Sequence, residues 1–257
     1  MTRDINQTVR DVCLWLPEAE EFLSHGSPNF RVRGKTFAAY TVNHHGDGRV
    51  ALWLNAPPGS QEQHVRAAPE HFFVPPYVGP RGWLGVILDR GLSWNVIARL
   101  VREAYEKVVP AQLRAGIGKT PAIKAPKKLS ARQIDPLKSP RAAAVLKTMR
   151  KICLQYPATQ EGSQFGHPVW QAGKRTFAMA GVNDKRLILN FWVGALQQGL
   201  LTVDTRFAIP PYIGHNGWIA LDVTGHCDWQ EIAAMALQSY RHFALKRMLL
   251  RLSADEE

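Results

Sequence analysis

Apolar positions along the first 110 residues recur at two different periods. From Thr8 to Leu16, Val9, Val12, Cys13 and Leu16 fall at helical spacing, and Pro17, which cannot donate to a helix ladder, ends the run. Short β-prone runs follow at Phe30 to Arg33, at Thr36 to Val42 across a Gly34-Lys35 turn, and at Val50 to Leu54, and they are expected to pair as antiparallel strands. Pro75-Pro76 and Gly79-Pro80 break the chain before Trp83 to Leu88, whose length and β-branched content predict another strand. Ser93 then stands at a cap position before Trp94, Ile97, Ala98, Val101 and Tyr105, which share one helical face. Helix, strand meander, helix is most economically an α+β domain, an antiparallel sheet packed on one side by an N-terminal and a C-terminal helix.

The pattern occurs twice. Shifting the chain by 140 residues lays Val9–Ala38 over Met149–Ala178 with ten identities in thirty pairs. A shift of 135 lays Phe72–Tyr105 over Phe207–Tyr240 with 11 in 34, including Pro-Pro-Tyr, two glycines and two tryptophans. Composition alone would give about 4 matches over both stretches. The chain is a tandem duplication, and a period this long means two domains and not a solenoid. The length differences fall around His44 to Gly48 and Ala56 to Arg66, polar and Gly/Pro-rich stretches that suit loops. In the second copy Asp228 caps Trp229, Ile232, Ala233, Ala236 and Tyr240. The expected division is a first domain over 1–112, a linker over 113–143 and a second domain over 144–257.

Charge supplies the linker. The net charge is +11, and Arg114 to Arg141 holds eight basic residues against the single acid Asp135, so +7 of that total sits in this stretch. It also carries Pro121, Pro126, Pro136 and Pro140 and no Trp, Tyr or Phe. Without a sustained apolar period it is expected to be flexible and extended. With 46% apolar and 21% charged residues, the rest reads as folded protein. No window approaches the roughly 18 apolar residues of a membrane span, and the start, MTRDINQTVR, lacks the apolar core of a signal peptide, so a cytoplasmic protein is expected. Three cysteines, Cys13, Cys153 and Cys227, suit neither a disulfide framework nor a zinc knuckle.

The runs HGSPNFRVRGKTFA (His25 to Ala38) and FGHPVWQAGKRTFA (Phe165 to Ala178), the segments PPYVGPRGW and PPYIGHNGW, and the closing SYRHFALKR (Ser239 to Arg247) resemble the MmcQ/YjbR family. The resemblance covers both halves, about 100 residues each, and omits the linker. It implies small α+β domains with a frataxin-like (CyaY-like) fold that bind DNA through a double wing of β-hairpins. The first half departs from the family's ending, with Ala104-Tyr105-Glu106 where the second has Ser239-Tyr240-Arg241. Glu18, Glu20 and Glu21 stand where frataxins carry an acidic iron patch. The second half has Ala158, Gln160 and Glu161 there and the chain is basic, so neither iron nor any other metal or cofactor is expected.

The candidate chemistry is therefore phosphate contact without base readout. Arg31 and Arg33 share a face of the first predicted hairpin near Lys35, and Lys174 and Arg175 occupy the second. Arg49 and Arg186 add sheet contacts, and Lys119, Lys124, Lys127, Lys128 and Arg132 make the linker an electrostatic tether. The expected partner is nucleic acid, DNA before RNA, bound non-specifically by a non-enzymatic protein. The competing account of the hairpin cations is protection of exposed strand edges, and of the linker, a solvated spacer. The alternative function is a small-molecule or protein-binding module with a pocket between the domains or near the Pro-Pro-Tyr turns, where Tyr77, Trp83, Tyr212 and Trp218 would line it. The tryptophans fit core positions better than a pocket. The Gly116-Ile-Gly-Lys-Thr120 run lacks the preceding glycine, strand and following helix of a phosphate loop. No histidine pair has metal-ligand spacing on a helix, and Cys13 and Cys153 occupy apolar positions that suit inert thiols.

Overall fold

The computed structural model describes residues 3–183 and 186–254. It divides into two compact units, the first running through Ile134 and the second starting at Asp135. In the first, α1 (Ile5–Leu14) leads into β1 (Ala19–Ser24), β2 (Ser27–Val32), β3 (Lys35–Val42) and β4 (Val50–Leu54). Next come α2 (Ser60–Ala67), β5 (Phe72–Phe73), β6 (Leu84–Ile87), α3 (Trp94–Val108), α4 (Ala111–Ala115) and α5 (Ala131–Ile134). The second repeats the plan with α6 (Pro140–Cys153), β7 (Thr159–Gln164), β8 (His167–Ala172), β9 (Arg175–Asn183), β10 (Arg186–Trp192), α7 (Ala195–Leu201), β11 (Phe207–Ala208), β12 (Trp218–Asp222), α8 (Trp229–Phe243) and α9 (Lys246–Ala254).

Each unit is an α+β domain around a six-stranded antiparallel sheet. The strand orders, β1-β2-β3-β4-β6-β5 and β7-β8-β9-β10-β12-β11, are the same order in two copies. Even the irregularities coincide, since the register slips between Phe30 and Arg31 in one sheet and between Trp170 and Gln171 in the other. Val9, Val12 and Cys13 of α1 and Ile97, Val101 and Tyr105 of α3 bury against Phe30, Phe37 and Leu52 of the sheet. Met149, Cys153, Ile232, Ala236 and Tyr240 do the same over Trp170, Phe177 and Leu189. The Tyr105 hydroxyl donates to the Pro17 carbonyl at 2.6 Å and the Tyr240 hydroxyl to the Pro157 carbonyl at 2.8 Å, and each ring meets a phenylalanine edge-on with centroids 5.5 Å apart. A buried phenol needs such an acceptor, which is why both copies keep the tyrosine over the same proline.

Helix α1 starts a turn before the expected Thr8, because Asp4 caps it by accepting from the Gln7 amide at 2.9 Å. Of the two predicted caps of the last helix, Asp228 accepts from the Gln230 and Glu231 amides, whereas the Ser93 side chain makes no capping bond. Strand β1 and its copy β7 escaped the pattern because Ala-Glu-Glu-Phe and Thr-Gln-Glu-Gly are poor strand formers, held only by pairing along one edge.

The largest correction concerns residues 113–143. No free extended linker spans them. Leu129 is buried in the first unit's core, and Leu113, Ile117, Ile123 and Ile134 pack against it. The segment runs back along α3 and crosses to the start of α1: Arg114 reaches the Glu106 carbonyl, Arg102 the Gly118 carbonyl, the Ile123 amide the Asn95 side chain at 3.1 Å, and the Lys127 amide the Arg3 carbonyl at 2.9 Å. It is a strap belonging to the first unit. The remainder is the second unit's own first helix, with Ser139 accepting from the Ala142 amide and Pro140 at its first turn. The boundary expected at 112 thus moves to 134. Aliphatic residues spaced four to six apart fit neither helix nor strand periods, so no pattern revealed that each one pins an extended segment.

Candidate nucleic-acid interface

On the first hairpin the cations do not face outward unopposed. Arg31 of β2 lies directly across from Glu20 of β1 and pairs with it at 2.6 Å, its guanidinium resting 4.7 Å from the centre of the Phe22 ring. Arg33, in the left-handed turn with φ 47°, forms a two-point pair with Glu18 at 2.8 and 3.0 Å. This bond holds the Glu18 carboxyl below its ordinary range. Arg10 closes on Glu21 in the same manner. The three glutamates that align with a frataxin-type acidic patch are therefore each an arginine's partner, and among the described residues no three His, Cys, Asp or Glu side chains group to hold a metal.

In the second hairpin the counterparts of the Arg31–Glu20 and Arg33–Glu18 pairs are gone by double replacement, while Arg150–Glu161 repeats Arg10–Glu21. Gln160 faces Gln171 and donates to it at 3.2 Å where Glu20 meets Arg31, and Ala158 and Gly173 replace Glu18 and Arg33. Lys174 and Arg175 remain exposed at its tip, as Lys35 does in the first. Arg49 lies over the Phe73 ring at 4.2 Å with Asp47 at 3.8 Å, and Arg186 is 3.6 Å from Asp222. Of the seven sheet and hairpin cations proposed from sequence, four have an acidic partner.

The strap is different. Lys119, Lys124, Lys127, Lys128 and Arg132 are all exposed, and among the described residues none has a carboxylate within 4 Å. Backbone bonds fix the strap to the folded surface while the side chains stay in solvent. From Lys119 to Lys128 an extended segment reaches about 30 Å, the length of roughly nine base pairs. Beneath it runs a groove of about 580 Å³ lined by Arg3, Thr8, Asp11 and Ala122 to Pro126, in which Arg3 pairs with Asp11.

The Pro-Pro-Tyr turns hold Tyr77 and Tyr212 at φ 63° and 65°, a costly backbone for a side chain of that size, and leave them 67% and 77% exposed. Gly79 and Gly214 make the turn possible, since a Cβ there would overlap Val74 and Ile209. The Tyr77 hydroxyl meets His45 Nε2 at 2.9 Å and the His44 ring meets the Trp53 ring edge-on with centroids 4.8 Å apart. Burial pushes His44 below the ordinary histidine range, with the nearby His45 adding to the effect. Trp218 is buried and Trp83 packs against a small cluster of Ala39, Ala51, Trp53, Phe73 and Ile87, so both serve as packing residues. Cys13 and Cys153 are fully buried, which raises both thiols and keeps them protonated.

Two consecutive α+β units with one strand order, one bulge and one tyrosine–proline contact define a duplicated antiparallel-sheet protein. The YjbR family model matches residues 14–107 and again 154–242, and the chain belongs to that family, in two tandem copies. The strap falls outside both matches. Among solved structures, the crystal structure of Deinococcus radiodurans protein DR2400, with a DUF419 domain, is similar at 19% identity and a TM-score of 0.37, over 49% of this chain and 96% of that one. No curated protein matches the chain. Among the described residues no helix is long and apolar enough to cross a membrane.

Proposed function

We propose that this protein is a non-enzymatic, cytoplasmic nucleic-acid-binding protein that grips duplex DNA through its phosphates, and that the strap of the first unit is its principal contact. The observation that carries this reading is five exposed cations, Lys119, Lys124, Lys127, Lys128 and Arg132, on a strap bonded to a folded surface, none with a carboxylate within 4 Å among the described residues. Anchoring matters, because a cation already held in place loses less freedom on meeting a phosphate than one on a loose tether. Lys35 at the tip of the first hairpin and, separately, Lys174 and Arg175 at the tip of the second are further candidate phosphate contacts, while Arg31 and Arg33 are held by Glu20 and Glu18. No side chain is assigned to base readout, so the affinity is electrostatic and indifferent to sequence.

The test is fluorescence anisotropy with a short mixed-sequence duplex across a salt series. The five strap contacts contribute about −4.5 to the slope of log K against log salt. Replacing the five strap cations by glutamine flattens the slope by about that amount while the far-ultraviolet spectrum is unchanged. Absence of binding by the unaltered chain at low salt overturns the proposal.

A further inference from the structure

Helix α7 of the second unit commits its inner side to the fold: Gln198 donates to the Gly214 and Trp218 carbonyls at 2.7 and 2.6 Å, and Leu201 packs on the core. Its outer side carries Leu196 and Leu200, followed by Val203 in the next turn, a spacing of four and then three residues that sets them in one stripe. They are 85%, 70% and 86% exposed. The adjoining Pro-Pro-Tyr turn, tied to α7 through the Gln198 bonds, adds Ile209 and Tyr212. The fold does not require these side chains. Helix α2 of the first unit rests on the same contact, Gln61 to the Gly79 and Trp83 carbonyls, yet has Gly59, Gln63 and Arg66 at the matching outer positions.

We propose that this apolar face binds a second copy of the chain and makes the protein a symmetric dimer. All five residues are more than half exposed, and large apolar residues gathered on one surface in this way mark an interaction site, a standard interface taking ~800 Å² from each partner. Neither Val193 to Val203 nor Phe207 to Trp218 contains Asp, Glu, Lys or Arg. Two chains of charge +11 can therefore meet here without setting like charges against each other. The nearest charges, Asp204 and Arg206, are already paired, Arg206 also with Glu231. Because only one of the two equivalent helices has the stripe, self-association closes at two copies and cannot grow into a filament.

Sedimentation velocity of the full chain at high salt and without nucleic acid, up to a concentration of about 100 µM, tests this. The expected result is a monomer–dimer equilibrium. Grafting the first unit's surface onto the second, Leu200→Gln with Val203→Arg, should raise the dissociation constant by at least about tenfold. Both positions are exposed, so circular dichroism should be unchanged; the reverse control, Gln63→Glu in the first unit, should leave the dimer intact. A chain that stays monomeric throughout, or a dimer that the graft leaves untouched, overturns the proposal. Either result is independent of whether the strap binds DNA.

Discussion

Glu20 and Arg31 face each other across β1 and β2; Gln160 and Gln171 face each other at the same register across β7 and β8. Beneath them, Arg10–Glu21 and Arg150–Glu161 are the same two-point ion pair in both units, and Tyr105 and Tyr240 hang from the same proline carbonyl. The two copies thus diverge where solvent screens an interaction and hold where helix and sheet must register. Exposed surface then becomes free for separate uses: the first unit collects cations on a strap, and the second collects exposed leucines on α7.

The comparison breaks most severely in the core. Trp170 and Phe30 fill one position of the shared plan, both at 0% exposure. Trp170→Ala should cost the second unit about 3–5 kcal/mol in denaturant unfolding. Trp170→Phe, which copies the first unit and removes an indole N–H without a partner, should cost less than about 1.5 kcal/mol. A comparable loss from both would mean the two cores are built differently. Next in size is the strap, present in one unit only: Leu129→Ala should destabilise the first unit by about 2–3 kcal/mol and speed amide exchange from Ile117 to Lys127.

Charge offers a finer probe. Glu18→Gln with Glu20→Gln releases Arg33 and Arg31, making the first hairpin more cationic than the second. If phosphates are the partner, the salt slope should steepen by about 2 with little change in melting temperature; an unchanged slope would place the hairpin away from the DNA. The smallest effect is acid sensitivity. Burial lowers His44 in the first unit and His242 in the second. Each therefore resists protonation when folded, so its contribution is intact above the ordinary histidine range and lost as the pH falls through the folded value. His44→Gln and His242→Gln should each reduce the loss of thermal stability on acidification, the former in the first unit and the latter in the second.

The duplication, the α+β plan and the two flanking helices were legible because their signals are periodic and occur twice. The arginine pairs were not, since Glu18 and Glu20 lie 15 and 11 residues from their partners and only the pairing of β1 with β2 joins them. A sequence clue did exist: the second copy changes both members of each pair together, as Gln160 with Gln171 and Ala158 with Gly173. The strap defeats a reading by periodicity because its lysines and prolines suit a free tether, while five isolated aliphatic residues determine where it lies. The stripe on α7 was hidden by length, as Ala195–Leu201 is too short for its leucines to stand out from those of a core helix.

The bond between Arg3 and Lys127, with the adjacent Asp4–Lys127 bridge, ties the opening of α1 to a residue more than a hundred positions later. During synthesis the first helix leaves the ribosome long before that anchor exists, and at ordinary elongation rates the interval is roughly 6–25 s. Sheet and helices can assemble within it, but the clasp over α1 and α3 closes last. A stop anywhere between Val108 and Lys127 would yield a unit with every strand in place and its fastening missing.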